Sequence, residues 1–261
     1  MDLGLTGRTA LVLGGGGGLG GAIARGLGAE GASVAVADLN EDAASGVADA
    51  ITAAGGKAVS LQWDLADIDA VDAKVASVES ALGPVDVLIA ITGGPPPGGA
   101  AGQLPETWRK FFDSMIVSVM TIADRVLPGM RDRGWGRIVT STSSGVVAPI
   151  PNLGISNALR MSLVGWSKTL AAEVGKDGVT CNIVMPGRIA TGRITFLDEK
   201  KAEREGRSVE EVRAESLAMI PMGRYGDPKE YADMVSFLAS DRAGYITGSQ
   251  IRIDGGYIPN I

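Results

Sequence analysis

Near the start of the chain, a run of glycines and one carboxylate have the types and spacing to hold a phosphate-bearing ligand. Gly14 to Gly18 are consecutive glycines, followed by Leu19 and Gly20. They come after the apolar run Thr9-Ala10-Leu11-Val12-Leu13 and before Ala22-Ile23-Ala24-Arg25-Gly26-Leu27, which together read as strand, turn and helix. Glycine at a strand end lets the chain turn tightly and bring its backbone close to a ligand. The helix that follows aims free N–H groups and the positive end of its dipole at that ligand, which suits a phosphate. Two registers are open. Gly15, Gly17 and Gly20 satisfy G-x-G-x-x-G, while Gly14, Gly18 and Gly20 satisfy G-x-x-x-G-x-G. A flexible loop that binds nothing is the competing reading.

Asp38 favours the ligand. It ends the next apolar run, Ser33-Val34-Ala35-Val36-Ala37, and lies 18 residues past Gly20 (38 − 20). A carboxylate at the tip of the second strand is where a dinucleotide fold hydrogen-bonds the adenosine ribose. It would repel a 2′-phosphate, and Leu39 and Asn40 supply no cation after it. This favours NAD over NADP. Asp38 acting only as a cap for the helix starting near Glu41 is the simpler alternative.

These residues need a frame, and the rest of the chain supplies one. Strands are expected at 8–13, 33–37, 57–62, 85–91, 136–141, 179–185 and 249–253. Helices are expected at 18–30, 41–54, 67–82, 105–132, 153–175, 198–217 and 227–239. Continuous apolar runs such as Val85-Asp86-Val87-Leu88-Ile89-Ala90-Ile91 fit strands buried on both faces of a parallel sheet. Alternating strands and helices define an α/β, doubly wound, Rossmann-type fold: seven parallel strands with helices on both faces. One domain is expected over 1–261, with no internal repeat or linker, and a substrate-loop or lid segment at about 188–222.

Ligands of such folds bind outside the carboxyl ends of the strands. Those ends carry the glycine loop, Asp38, Asp64, Thr92-Gly93-Gly94, Thr142-Ser143-Ser144 and Pro186-Gly187. Asp64 is read equally as a contact to the adenine edge or as a helix cap. The loop Pro95-Pro96-Pro97-Gly98-Gly99 and the 188–222 segment are expected to line the substrate pocket. Apolar stripes at Leu159, Leu163, Trp166, Leu170 and Val174, and at Phe111, Phe112, Met115, Val119 and Ile122, are either core or subunit interface.

Composition narrows the function classes. The chain has 261 residues, 45% of them hydrophobic, with a net charge of −6, which argues against nucleic acid as a partner. Cys181 is the only cysteine and histidine is absent, which removes Cys-based metal sites, an intrachain disulfide and the commonest general base. Met1-Asp2-Leu3 opens no signal peptide and no apolar run reaches spanning length, so a soluble cytoplasmic protein without membrane partners is expected.

Over essentially its whole length the chain resembles the short-chain dehydrogenase/reductase family. The resemblance rests on Ala10-Leu11-Val12-Leu13-Gly14 through Gly20, on Asp86 to Gly93, and on Gly136-Arg137-Ile138-Val139. It also rests on Asn182-Ile183-Val184-Met185-Pro186-Gly187-Arg188-Ile189-Ala190-Thr191, and on Tyr245-Ile246-Thr247-Gly248 through Asp254-Gly255-Gly256. The nearest subgroup is 3-oxoacyl-carrier-protein reductase-like. The resemblance implies NAD held by Gly14, Gly18, Leu19, Gly20, Asp38, Asp64, Leu65, Thr92, Gly93, Arg160, Pro186, Gly187, Ile189 and Thr191. It also implies a homotetramer packed through 105–132 and 153–175.

The family's catalytic Asn, Ser, Tyr and Lys are kept only in part. Aligned from Lys168-Thr169-Leu170-Ala171-Ala172-Glu173, the Tyr position falls on Ser156 and the Lys position on Arg160. The Ser position is Ser143, and the Asn position falls on Met115. Ser143, Ser156 and Arg160 are therefore the expected catalytic set, on an atypical tetrad. Three functions follow: an NAD(H)-dependent interconversion of carbonyl and alcohol on a small organic or acyl substrate; a lyase, dehydratase or isomerase on the same fold; or an inactive NAD-binding protein.

Overall fold

The computed structural model describes residues 1–260. The order is β1 (Thr9–Leu13), α1 (Gly18–Ala29), β2 (Ser33–Asp38), α2 (Glu41–Ala53), β3 (Lys57–Gln62), α3 (Val71–Leu82) and β4 (Val87–Ala90). There follow α4 (Pro105–Phe112), a π-turn (Asp113–Val117), α5 (Ser118–Asp132), β5 (Gly136–Ser141), α6 (Gly154–Val174) and β6 (Val179–Pro186). The last elements are α7 (Gly192–Glu205), α8 (Val209–Ala218), α9 (Pro228–Leu238) and β7 (Gln250–Ile253).

All seven strands are parallel, in the order β3-β2-β1-β4-β5-β6-β7. Strand order reverses between β1 and β4, whose ends meet at Leu13 and Ala90, and that switch point opens the crevice where ligands bind. Successive side chains of a strand point to opposite faces. In β1, Leu11 and Leu13 enter one core with Ile122 and Leu163, while Ala10 and Val12 enter the other with Ile23 and Val235. Both faces are therefore dry, which is why the central strands read as unbroken apolar runs. No helix among the described residues is long and apolar enough to cross a membrane.

Three expected helices differ. Residues 67–70 form turns, so α3 begins at Val71. The stretch 105–132 is interrupted by the π-turn, which carries the buried Met115. The expected helix 198–217 is two helices: α7 starts earlier, at Gly192, and ends where Gly206 takes a left-handed φ of 63°. A capping box then restarts the chain, with Ser208 Oγ accepting from Glu211 N and Glu211 Oε2 accepting from Ser208 N. The stripe along α6 is core: Leu159, Leu163, Leu170 and Val174 are buried, and Trp166 packs against them.

Candidate active site

Backbone geometry sets the glycine register. Gly14 and Gly18 have left-handed φ values of 65° and 52°. A Cβ on Gly14 would lie 2.5 Å from the Ile91 carbonyl oxygen, and one on Gly20 would lie 2.0 Å from that of Gly14. A Cβ on Gly15 or Gly16 would be tight as well, at 2.9 Å from Val36 and Asp38 respectively, whereas Gly17 faces open space at an extended φ. The positions that need glycine therefore include those of G-x-x-x-G-x-G and omit the central glycine of G-x-G-x-x-G. Gly17 caps α1 without a side chain of its own, so the first-turn N–H groups remain available to a ligand.

Asp38 is tied into this loop. Its Oδ2 accepts from Gly16 N at 2.9 Å and its Oδ1 from Asn40 N at 3.0 Å. A Cβ on Gly16 would stand 2.9 Å from the carboxylate, so loop and carboxylate fit each other closely. Asn40, not Asp38, caps α2, through its Oδ1 and Ala43 N. Asp64 Oδ1 accepts from Ala66 N and holds a turn; it does not cap α3.

A cavity of about 460 Å³ opens along the strand ends. It runs from Gly17–Gly20 past Thr92, Gly93 and Gly94 to Ser141–Ser144, Ser156 and Arg160, under Pro186, Gly187 and the start of α7. Gly18, Leu19, Gly20, Thr92, Gly93, Ser143, Ser156, Arg160, Pro186, Gly187, Ile189 and Thr191 all line it. Gly14, Asp38, Asp64 and Leu65 do not: Gly14 shapes the turn, Leu65 packs on the core, and the two carboxylates sit at neighbouring strand tips outside it. The loop expected at Pro95 to Gly102 does not line the cavity: Gly98 pairs with Leu153, and Gly94, just before the loop, is the last residue of this stretch to reach it. The 188–222 segment reaches it only between Arg188 and Leu197.

The two serines and the arginine line one cavity with the glycine turn, and Ser156 bonds Arg160 directly. Ser143 Oγ accepts from Gly145 N at 3.0 Å. Ser156 is buried and its Oγ accepts from Arg160 Nε at 3.3 Å. Because both hydroxyls accept these bonds, each keeps its own proton to donate. Asn157 holds the intervening loop, donating to Ile150 O at 2.9 Å and accepting from Ile150 N at 3.3 Å.

Arg160 is buried with only neutral partners. Nη1 donates to Thr92 Oγ1 at 3.4 Å and to Ser141 O at 3.5 Å; Nη2 donates to Thr92 O at 3.2 Å and to Gly93 O at 2.9 Å. Burial, and then the neighbouring Arg193 charge, push the guanidinium down to about 10, so it remains a cation at neutral pH.

Arg188 and Arg193, inside the 188–222 segment, flank Thr191 in the cavity wall; Ile150, Leu153 and Tyr257, the last entering from beyond β7, escape the sequence reading. Arg188 is held by the buried Asp198, which accepts from its Nη1 at 2.5 Å and from Tyr225 Oη at 2.7 Å. Cations beside Thr191 were a usable signal for the arginines. Tyr257 had none, since only the turn at Gly255 and Gly256, both at positive φ, brings it back.

Strand order, switch-point cavity and glycine turn together define a Rossmann-type fold of the dinucleotide-binding class. A family model described as enoyl-(acyl carrier protein) reductase matches residues 15–258. The chain belongs to the short-chain dehydrogenase/reductase family. It is 35% identical to an acetoacetyl-CoA reductase of Shinella zoogloeoides, over 95% of this chain and 98% of that protein. It is 33% identical to the 3-oxoacyl-[acyl-carrier-protein] reductase FabG of Escherichia coli K12, over 96% and 97%. The crystal structure of L-sorbose reductase from Gluconobacter frateurii, complexed with NADPH and L-sorbose, superposes with a TM-score of 0.94 at 30% identity, covering all of both chains.

Proposed function

We propose that this protein is an NAD(H)-dependent oxidoreductase that interconverts a carbonyl and an alcohol on a small organic or acyl substrate, with Ser143, Ser156 and Arg160 in place of the family's usual set. The observation that carries this reading is the meeting of two proton-bearing serine hydroxyls and a buried cation in one cavity with the glycine turn. Gly18, Leu19, Gly20 and the α1 N-terminus would hold the pyrophosphate, Asp38 the adenosine ribose, and Thr92, Gly93, Pro186, Gly187, Ile189 and Thr191 the nicotinamide half. Asp64 and Leu65 would edge the adenine, and Gly14 shapes the turn.

A bound nicotinamide supplies or accepts hydride. In the reducing direction Ser143 and Ser156 donate hydrogen bonds to the carbonyl oxygen of the substrate. Arg160 stabilises the negative charge that grows on that oxygen, as preorganised donors and cations do in a site shielded from water. Serine is a poor acid and arginine keeps its proton, so solvent water protonates the alkoxide. The NADPH of the sorbose reductase does not decide the cofactor of this chain: Asp38 would face the ribose, and none of Gly15 to Gly18, Leu39 or Asn40 is a cation.

The test is a titration of NADH fluorescence with protein, followed by a screen of carbonyl compounds for NADH consumption. Binding with turnover supports the reading, and absence of binding removes it. Binding without turnover turns the assignment toward a non-redox or inactive relative. The full engagement of Arg160 by protein hydroxyls and carbonyls favours that second reading.

A further inference from the structure

Arg193 lies in the first turn of α7, close to Gly94, as Arg160 is. A Cβ built on Gly94 would be 3.4 Å from Arg193 Nη2 and 3.5 Å from Arg160 Nη2. Two guanidinium groups therefore reach one point, which the missing side chain of Gly94 leaves open. Neither has a carboxylate partner within ion-pair distance among the described residues. Arg193 Nη2 donates to Pro95 O at 2.9 Å and its other donors are free among the described residues, while Arg160 is held by neutral oxygens. No aspartate or glutamate lines the cavity. The other cavity arginine, Arg188, is neutralised by Asp198, so the chain pairs a cation where it needs no anion.

Two cations held close without a counter-ion repel each other, and the Arg193 charge already pushes Arg160 down. An anion between them would relieve this, and a planar carboxylate matches the fork of a guanidinium. Arg193 is exposed to solvent yet lines the cavity two residues past Thr191.

We propose that the pocket takes a short-chain keto acid or hydroxy acid whose carboxylate docks against Arg193 beside Gly94, with Arg160 as its second cation. This rests on the oxidoreductase reading for the carbonyl, but the carboxylate site can be tested apart from it.

The probes are acetoacetate and levulinate, each against its methyl ester, with the protein saturated in NADH. Turnover of the acids should exceed that of the esters by about tenfold or more in kcat/KM, the scale of a charge-assisted contact. Arg193→Leu should erase that preference by raising KM, Arg193→Lys should restore part of it, and NADH affinity should stay unchanged. Equal or better turnover of the esters overturns the proposal. So does a loss of NADH affinity in Arg193→Leu that matches the loss for the acid, which would assign the arginine to the cofactor's phosphates. If none of the four compounds is reduced, the oxidoreductase reading fails for them, and binding of levulinate to the NADH complex decides the rest. Levulinate bound more tightly than its ester, and lost in Arg193→Leu, keeps the carboxylate site. No such difference overturns it.

Discussion

Arg160 Nη2 donates to the Gly93 carbonyl at 2.9 Å, tying the middle of α6 to the loop after β4. With Thr92, Ser141 and Ser156 also engaged, the guanidinium holds three elements together as well as charging the cavity. Arg160→Ala removes these bonds and leaves buried carbonyls unpaired. The variant should lose about 2–4 kcal/mol, the range for hydrogen bonds to a charged group plus their orphaned acceptors, read by urea unfolding. Unchanged stability would show that the bonds are not formed in solution.

Asp38 should set cofactor preference. Asp38→Ala is expected to weaken NADH binding by about 10- to 100-fold, the cost of one or two charge-assisted bonds to ribose hydroxyls, and to narrow the gap to NADPH. Calorimetry with both cofactors checks this. Comparable affinity of the unaltered protein for NADH and NADPH would contradict it.

The glycine turn and Asp38 were legible because they are local: strand, turn, helix and next strand tip follow one another within the first forty residues. The alternating strands were legible because burial on both faces leaves a continuous apolar run. The break between α7 and α8 was hidden in uniformly charged sequence, although Gly206 and the Ser208–Glu211 pair mark it. Arg193 was legible only as part of the 188–222 segment and Tyr257 not at all, since their positions depend on how β6 and β7 deliver distant segments to one crevice. The π-turn around Met115 likewise depends on packing.

Activity should be insensitive to pH across the neutral range. The chain has no histidine, the cavity lining has no carboxylate, and burial pushes Cys181 up to about 12. Arg160, pushed down to about 10, stays predominantly charged up to about pH 9. The kcat/KM profile for carbonyl reduction should therefore show no ionisation between about pH 6 and 9. A limb with a midpoint in that window would reveal an acid or base outside the proposed set.

Tyr257 gives the corresponding test of the proton source. It lines the cavity, so it is the phenol that would replace water in protonating the alkoxide. With water as the source, Tyr257→Phe should keep turnover within about threefold, far less than the loss of a true general acid. A fall of about 10² or more would make Tyr257 the acid.

Asp198 should anchor α7 over the cavity. Asp198→Ala leaves the largely buried Arg188 without its counter-ion, which typically costs about 3–5 kcal/mol. Hydrogen exchange should speed up in 192–205 before the rest of the chain. Uniform exchange across the protein would contradict a local anchor.

Assembly is expected to be tetrameric, through α4–α5 and α6. Phe112 and Met161 remain exposed on these elements, at 42% and 48%, as apolar surface available for a partner copy. Sedimentation at micromolar concentration checks it, and a monomer would contradict it.

The central claim is tested most directly by following deuterium from C4-deuterated NADH into a carbonyl substrate found in the screen, in the unaltered protein, Ser143→Ala and Arg160→Ala. The account predicts label on the former carbonyl carbon, with transfer about 10²–10³ slower in each variant that still binds NADH. Full-rate transfer in both variants, or NADH binding with no label transfer to any carbonyl, would contradict it.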